Sequence, residues 1–71
     1  MTPITIHYRS GKQSDFELDE PAVRGLRRWA ETGTERSVTL SWPERGVYLV
    51  VVRDAVEFIE FGGTPWLPWS R

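Results

Sequence analysis

The chain has 71 residues, about the size of one small domain. It contains no cysteine, which excludes disulfide bonds and thiolate metal sites, and its 9 basic and 10 acidic residues give a formal net charge of −1. That balance argues against a protein that coats nucleic acid through its overall charge. The 39% hydrophobic and 13% aromatic residues provide large side chains for a small core.

The first two predicted elements form a β-hairpin over residues 4–18. Residues 4–9 alternate between apolar and polar side chains, which is the period of a strand with one buried face. Gly11 lies in the following turn, where a tight hairpin needs a positive φ. Residues 15–19 alternate in the same way and predict a second strand with one face in water.

A single helix follows the hairpin. Asp19 or Glu20 can cap its first turn, where Pro21 also fits. Gly25 costs about 1 kcal/mol relative to alanine; it either lets another backbone approach closely or has no role. Gly33 ends the helix in the usual C-terminal role. At 100° per residue, the apolar side chains fall within one arc of roughly 120°: Ala22, Val23, Leu26, Trp29 and Ala30.

Three further strands are predicted after the helix. Residues 37–42 alternate as a half-buried strand and lead into a turn over residues 43–46. Residues 47–52 are apolar at every position, which indicates a central strand covered on both faces. The helix would provide one cover, and a second layer, the C-terminal segment or a partner chain would provide the other. Residues 56–61 have a mixed pattern, typical of a bulge or an edge strand.

These elements predict an α+β fold with the order β-β-α-β-β-β, in which one small antiparallel sheet packs against one helix. Residues 1–61 are expected to form a single domain, followed by a tail rich in tryptophan and proline over residues 62–71, with an extended path. The tail includes Trp66, Leu67 and Trp69, which we expect to be buried on the same chain or on a partner. In both cases, deletion of residues 66–69 should lower solubility.

The helix carries a candidate binding surface of three arginines. Arg24, Arg27 and Arg28 are spaced i, i+3 and i+4, so they share one face that is suited to bind phosphates or an acidic protein. The competing interpretation is a solvated face. Glu20 and Glu31 each lie four residues from one of these arginines and would neutralise part of the charge. The sequence favours this second interpretation.

The polar residues include a candidate cation site and a candidate catalytic histidine. Asp54, Glu57 and Glu60 could bind a divalent cation, but a regular strand places the last two on opposite faces. Protection of an edge strand by charge is the favoured interpretation. His7, the only histidine, has no cysteine partner and no serine in a nucleophile elbow. It is expected to be an ordinary exposed strand residue.

The aromatic residues are a further candidate. Aromatic side chains on a sheet can stack on the bases of single-stranded nucleic acid, provided that basic residues share the same sheet face. Here the basic residues lie mostly at strand ends, so packing in the core is the favoured interpretation. The set comprises Tyr8, Trp29, Trp42, Tyr48, Trp66 and Trp69.

The sequence therefore predicts a non-catalytic protein-interaction module, a regulator, inhibitor or adaptor, which binds a protein partner and forms a homodimer. A short chain has few residues with which to cover an apolar strand, and a second copy of the chain would cover it. The contact residues would be those of the tail or of the arginine face, and the alternative is a nucleic-acid-binding module that uses the arginine face.

We expect no enzymatic activity, cofactor or metal ion. No apolar stretch is long enough for a membrane span or a signal peptide, which predicts a cytoplasmic protein without a membrane partner.

Overall fold

A computed structural model describes residues 1–66 of the chain. Within that range it contains one helix and six strands in two antiparallel sheets, so the predicted α+β class and the order β-β-α-β-β-β are confirmed, with one additional strand at the end. Two short 3₁₀ turns flank the fourth strand, at Pro43–Arg45 and Arg53–Ala55. The elements are β1 (Thr2–Tyr8), β2 (Gln13–Leu18), α1 (Glu20–Thr32), β3 (Ser37–Trp42), β4 (Val47–Val52), β5 (Val56–Phe61) and β6 (Thr64–Trp66).

The larger sheet has the strand order β2-β1-β5-β6. β1 and β2 pair antiparallel, with Thr2 opposite Leu18, and Gly11 in their turn has a φ of 92°. The predicted hairpin is therefore confirmed. β3 and β4 form a second sheet, in which Ser37 lies opposite Val52. In the part of the chain that the structure describes, these two strands pair only with each other, so the expected single sheet is divided in two.

The core lies where the inner faces of both sheets meet the helix. Full burial of one large apolar side chain contributes roughly 1.5–3 kcal/mol. The apolar stripe of the helix faces this core as its spacing predicts, and Ala22 and Val23 pack at its margin. The buried residues are Ile4, Ile6, Leu18, Leu26, Trp29, Ala30, Leu40, Val51, Val56, Ile59 and Phe61.

The two ends of α1 are held by different means. At the start, the carboxylate of Asp19 accepts a hydrogen bond from the backbone N–H of Ala22 at 3.0 Å, which is the predicted cap. At the other end, Gly33 follows the helix as predicted, but its φ of −70° is not the left-handed conformation that usually favours glycine at this position. A Cβ at Gly33 would lie 2.6 Å from the carbonyl oxygen of Trp29. Close packing on the last turn therefore explains this glycine.

β5 contains the predicted bulge but is not an edge strand. His7 lies opposite Phe58 and Tyr8 opposite Val56, so Glu57 is the extra residue of the bulged strand. The edge interpretation is wrong, because β5 lies between β1 and β6.

The beginning of the predicted tail continues the larger sheet. Gly62 and Gly63 have positive φ angles of 60° and 86° and turn the chain back, so that residues 64–66 pair with β5 as β6. This differs from the extended path outside a sheet that the prolines indicated. Pro65 fits because an edge strand tolerates a missing N–H. The division into a domain over 1–61 and a tail over 62–71 stays a prediction.

Candidate functional site

The outward side of β4 is an apolar surface in contact with water. The exposed fractions of residues Tyr48, Val50 and Val52 are 70%, 47% and 46%, and we call these three residues the outer face. Val51, on the other side of the same strand, is fully buried. The cross-strand neighbours of the outer face carry short hydroxyl side chains that leave it uncovered: Ser41, Thr39 and Ser37.

The prediction of a central strand covered on both faces is wrong for the part of the chain that the structure describes. β4 has one neighbouring strand there, and its outer face is open. An apolar pattern on both sides indicates that both faces would be more stable when covered, but it does not show that the same chain supplies both covers. Cover by the tail or by a partner remains a prediction. Trp66 ends β6 with its backbone opposite Ile59, whereas Leu67 and Trp69 lie outside the described residues.

The backbone of β4 also presents an open edge. The N–H of Arg53 donates to the carbonyl oxygen of Arg36 at 2.7 Å, which extends the ladder between β3 and β4 by one pair. Backbone groups in an antiparallel strand alternate between its two sides. Leu49 and Val51 therefore direct their N–H and C=O groups toward β3, and the outer-face residues direct theirs away. Within residues 1–66, nothing hydrogen-bonds to those outward backbone groups.

A groove opens beside the first half of β4. It has a volume of about 430 Å³ and runs between β2 and the β3–β4 pair, lined in part by Val47 and Leu49. Trp42 also lines this groove. Its indole N–H donates to the carbonyl oxygen of Glu17 at 3.1 Å, and its ring meets that of Phe16 edge-on, with 5.4 Å between the ring centroids. The described chain leaves the space next to β4 unfilled.

The three arginines of the helix do lie together, along one shallow surface. Arg24 is 4.0 Å from Glu20, so one of the two predicted intrahelical pairs is present. The guanidinium of Arg27 lies 4.6 Å from the ring centroid of Phe61, and it forms no ion pair with Glu31 within residues 1–66. The guanidinium of Arg28 has no hydrogen-bond or ion-pair partner in the same range. Partner or nucleic-acid binding by this face stays a prediction.

His7 is more enclosed than expected. Its Nε2 lies 2.9 Å from a carboxylate oxygen of Glu60, and its ring stacks on Phe58 with 4.1 Å between centroids. Only 23% of its side chain is exposed, so the expectation of an ordinary exposed residue is wrong. The residues that enclose His7 come from β5, and no local pattern indicates that β5 is its neighbour. In residues 1–66, the imidazole has no hydrogen bond to a serine or threonine hydroxyl, as a nucleophilic dyad would require.

Asp15 belongs to a polar cluster on the outward side of the larger sheet. Its carboxylate accepts a hydrogen bond from the hydroxyl of Thr5 at 2.7 Å and from the side-chain amide of Gln13 at 3.1 Å. These bonds, the one from Thr5 foremost, lower the pKa of Asp15 because they stabilise its charged form.

The three acidic residues considered as a cation site are separated. Asp54 is 3.7 Å from the guanidinium of Arg36, Glu60 contacts His7, and Glu57 sits in the bulge. The described part of the chain has no group of three histidine, cysteine or acidic residues that could hold a metal ion. The predicted edge protection does not apply either, since β5 is an inner strand.

Arg53 has a structural role that the sequence did not reveal. Its guanidinium donates to the carbonyl oxygens of Trp29 and Gly33 at 2.9 and 3.0 Å, and its Nε donates to that of Glu35 at 3.1 Å. The same group lies 4.4 Å from the ring centroid of Trp29. It therefore caps the carbonyl end of α1 from a turn distant in sequence.

No protein-family model, curated protein or solved structure matches the chain. Among residues 1–66, no helix is long and apolar enough to cross a membrane. Among the side chains that the structure describes, five large hydrophobic ones are exposed, namely those of Met1, Val47 and the outer face, so four of the five belong to β4. Exposed apolar surface is thus concentrated on one strand, as in protein-binding sites.

Proposed function

We propose that this chain is a small protein-interaction module that acts without catalysis, by binding a protein partner through β4. One observation carries the proposal: an uncharged strand exposes an apolar outer face beside an open backbone edge. Addition of a partner strand to such an edge provides main-chain hydrogen bonds, while alternate side chains provide apolar contacts and specificity.

The side chains of β4 indicate which kind of partner surface would bind to it. The outer face is mostly valine and carries no charge, so the surface that matches it best is an apolar strand or an extended apolar segment. Such a module would act in the cytoplasm as a regulator, inhibitor or adaptor that occupies the partner's surface. Trp66, Leu67 and Trp69 would add partner contacts beyond β4.

Capture of partners from the native host tests the proposal. The wild-type chain and two variants with the same charge change, Val50→Lys and Thr34→Lys, would each be immobilised and exposed to host lysate. Val50 lies in the outer face, whereas Thr34 is an exposed residue of the loop between α1 and β3 and is not part of β4. We expect a partner that wild type and Thr34→Lys retain and Val50→Lys loses. Equal retention by all three chains would contradict binding through β4.

A further inference from the structure

We infer that β4 pairs with β4 of a second copy of this chain, antiparallel and across a two-fold axis at Val50. The result is a continuous four-stranded sheet, with β3 and β4 from each protomer. This inference rests on the proposed function and names its partner.

The unprotected edge of β4 is the first observation. The edges of the larger sheet carry ordinary protection against pairing: Asp15 and Glu17 are charges on β2, and Pro65 removes a donor from β6. β4 has the sequence VYLVVV, with no charge, proline or glycine. Folded proteins rarely leave such an edge exposed, because it would pair with other chains nonspecifically. A defined occupant therefore belongs on it.

The direction of the backbone groups is compatible with a second copy of β4 as that occupant. Tyr48, Val50 and Val52 are the residues whose N–H and C=O groups point toward the open edge. A two-fold axis at Val50 places Val50 opposite its own copy and Tyr48 opposite Val52. Outward backbone groups then meet outward backbone groups at all three positions, and each opposing pair can exchange two hydrogen bonds. β4 is thus complementary to itself.

The side chains of β4 are also compatible with the antiparallel register centred on Val50. A two-fold axis perpendicular to the sheet keeps the outer faces of both copies on one side and the inner faces on the other. Leu49 then lies opposite Val51 of the second copy, so apolar side chains oppose apolar side chains on both faces. Such aromatic and β-branched cross-strand pairs stabilise a sheet.

The charges at the ends of β4 are complementary too. Arg45 precedes the strand and Asp54 follows it, and both are exposed. Antiparallel pairing brings the start of one strand to the end of the other, so each arginine approaches the other copy's aspartate. The Asp54 side chain is 82% exposed and lies 3.7 Å from Arg36, which leaves most of its carboxylate accessible.

The absence of cysteine from the sequence allows a direct test by cross-linking. In the full chain, Val50→Cys would place two thiols on the axis, where opposed Cα atoms lie about 5.5 Å apart, within the range of a disulfide. We expect a covalent dimer under mild oxidation. Val52→Cys is the matched control: it is equally exposed, but the two copies of position 52 would be about 13 Å apart and would not cross-link. The double variant Tyr48→Cys/Val52→Cys should cross-link again.

Sedimentation of the full chain provides a second measurement. Wild type should sediment as a dimer, and Val50→Lys as a monomer, because two lysines would oppose each other on the axis. Thr39→Lys adds the same charge to the same sheet face, but on β3, away from the edge of β4, and should remain a dimer. Loss of the dimer in Thr39→Lys as well would point to packing through the sheet face or through the edge of β3, and would overturn pairing at the edge of β4.

The inference and the proposed function can fail separately. A wild-type chain that stays monomeric at high micromolar concentration, together with no cross-link in Val50→Cys, would overturn the inference. If a host protein is nevertheless captured in a manner sensitive to Val50→Lys, the proposed function stands with a different partner. If neither a dimer nor a captured protein is found, both are wrong.

Discussion

The guanidinium of Arg53 links the end of α1 to the turn that leads into β5. The last carbonyl groups of a helix lack partners within the helix and carry partial negative charge. Arg53 donates to three carbonyl oxygens in this region and packs on the indole of Trp29. One side chain thus stabilises the helix end and connects the helix to the strands that follow it.

Replacement of Arg53 by methionine should destabilise the fold. The methionine keeps apolar volume beside Trp29 but leaves three carbonyl oxygens without their charged donor. We expect a loss of about 2 kcal/mol in the free energy of unfolding, which urea denaturation would measure. Arg28→Met serves as control, since its exposed guanidinium has no partner in residues 1–66, and it should change stability by less than about 0.5 kcal/mol. Equal losses in the two variants would contradict the capping role.

Asp15 provides a prediction about pH. Its pKa is lower in the folded chain than in the unfolded chain, foremost because of the hydrogen bond from Thr5. The resulting stabilisation is present above about pH 4, the ordinary range of an aspartate, and is lost as the pH falls through the lowered pKa. We expect Thr5→Val to raise the pKa of Asp15 toward its ordinary value, as followed by NMR of its carboxyl carbon. An unchanged pKa in Thr5→Val would show that this hydrogen bond has no effect on it.

At the scale of elements, Gly25 inside α1 and Gly33 directly after it should respond oppositely to alanine. A Cβ at Gly25 would meet nothing within 4 Å, so alanine there should stabilise the helix by up to about 1 kcal/mol. At Gly33 the same atom would meet the carbonyl oxygen of Trp29 at 2.6 Å and should destabilise the fold. Thermal unfolding of both variants measures the difference. A stabilised Gly33→Ala variant would show that the last turn can move aside without cost.

Elements with a local signal could be predicted from the sequence, and their neighbours could not. Alternation identified β1 and β3, and a period of 3.6 with Asp19 before it identified α1. In contrast, His7 contacts Glu60 across 53 positions, and no periodicity specifies such a pairing. For the same reason, the apolar pattern of β4 predicted a central strand with both faces covered. It could not indicate that β4 has one neighbouring strand and an open outer face in the described part of the chain.

The candidate site was predicted in part. The apolar run of residues 47–52 marked the strand that now carries the proposed interface, and its need for cover suggested a second copy. The open edge could not be predicted, because the number of neighbours of a strand depends on the whole topology. Arg53 had no signal either, since its acceptors are backbone atoms of a distant turn.

At the scale of the whole molecule, a β4-paired dimer makes thermal stability depend on protein concentration. Ligands and partners that bind only the folded state raise the unfolding temperature by mass action. We therefore expect the midpoint of wild type to rise with concentration and that of Val50→Lys to stay constant, as measured by calorimetry. A midpoint of wild type that does not change with concentration would be at odds with assembly linked to folding.

The position of β1 between β2 and β5 has a consequence for biosynthesis. A nascent polypeptide emerges from the ribosome with its first residues in front, so the hairpin of β1 and β2 is complete long before β5 has been translated. During that interval, Ile4 and Ile6 lack the strand that later lies beside them. The growing chain thus passes through a stage with an unpaired strand edge and exposed apolar side chains. A chaperone would bind the nascent chain at this stage.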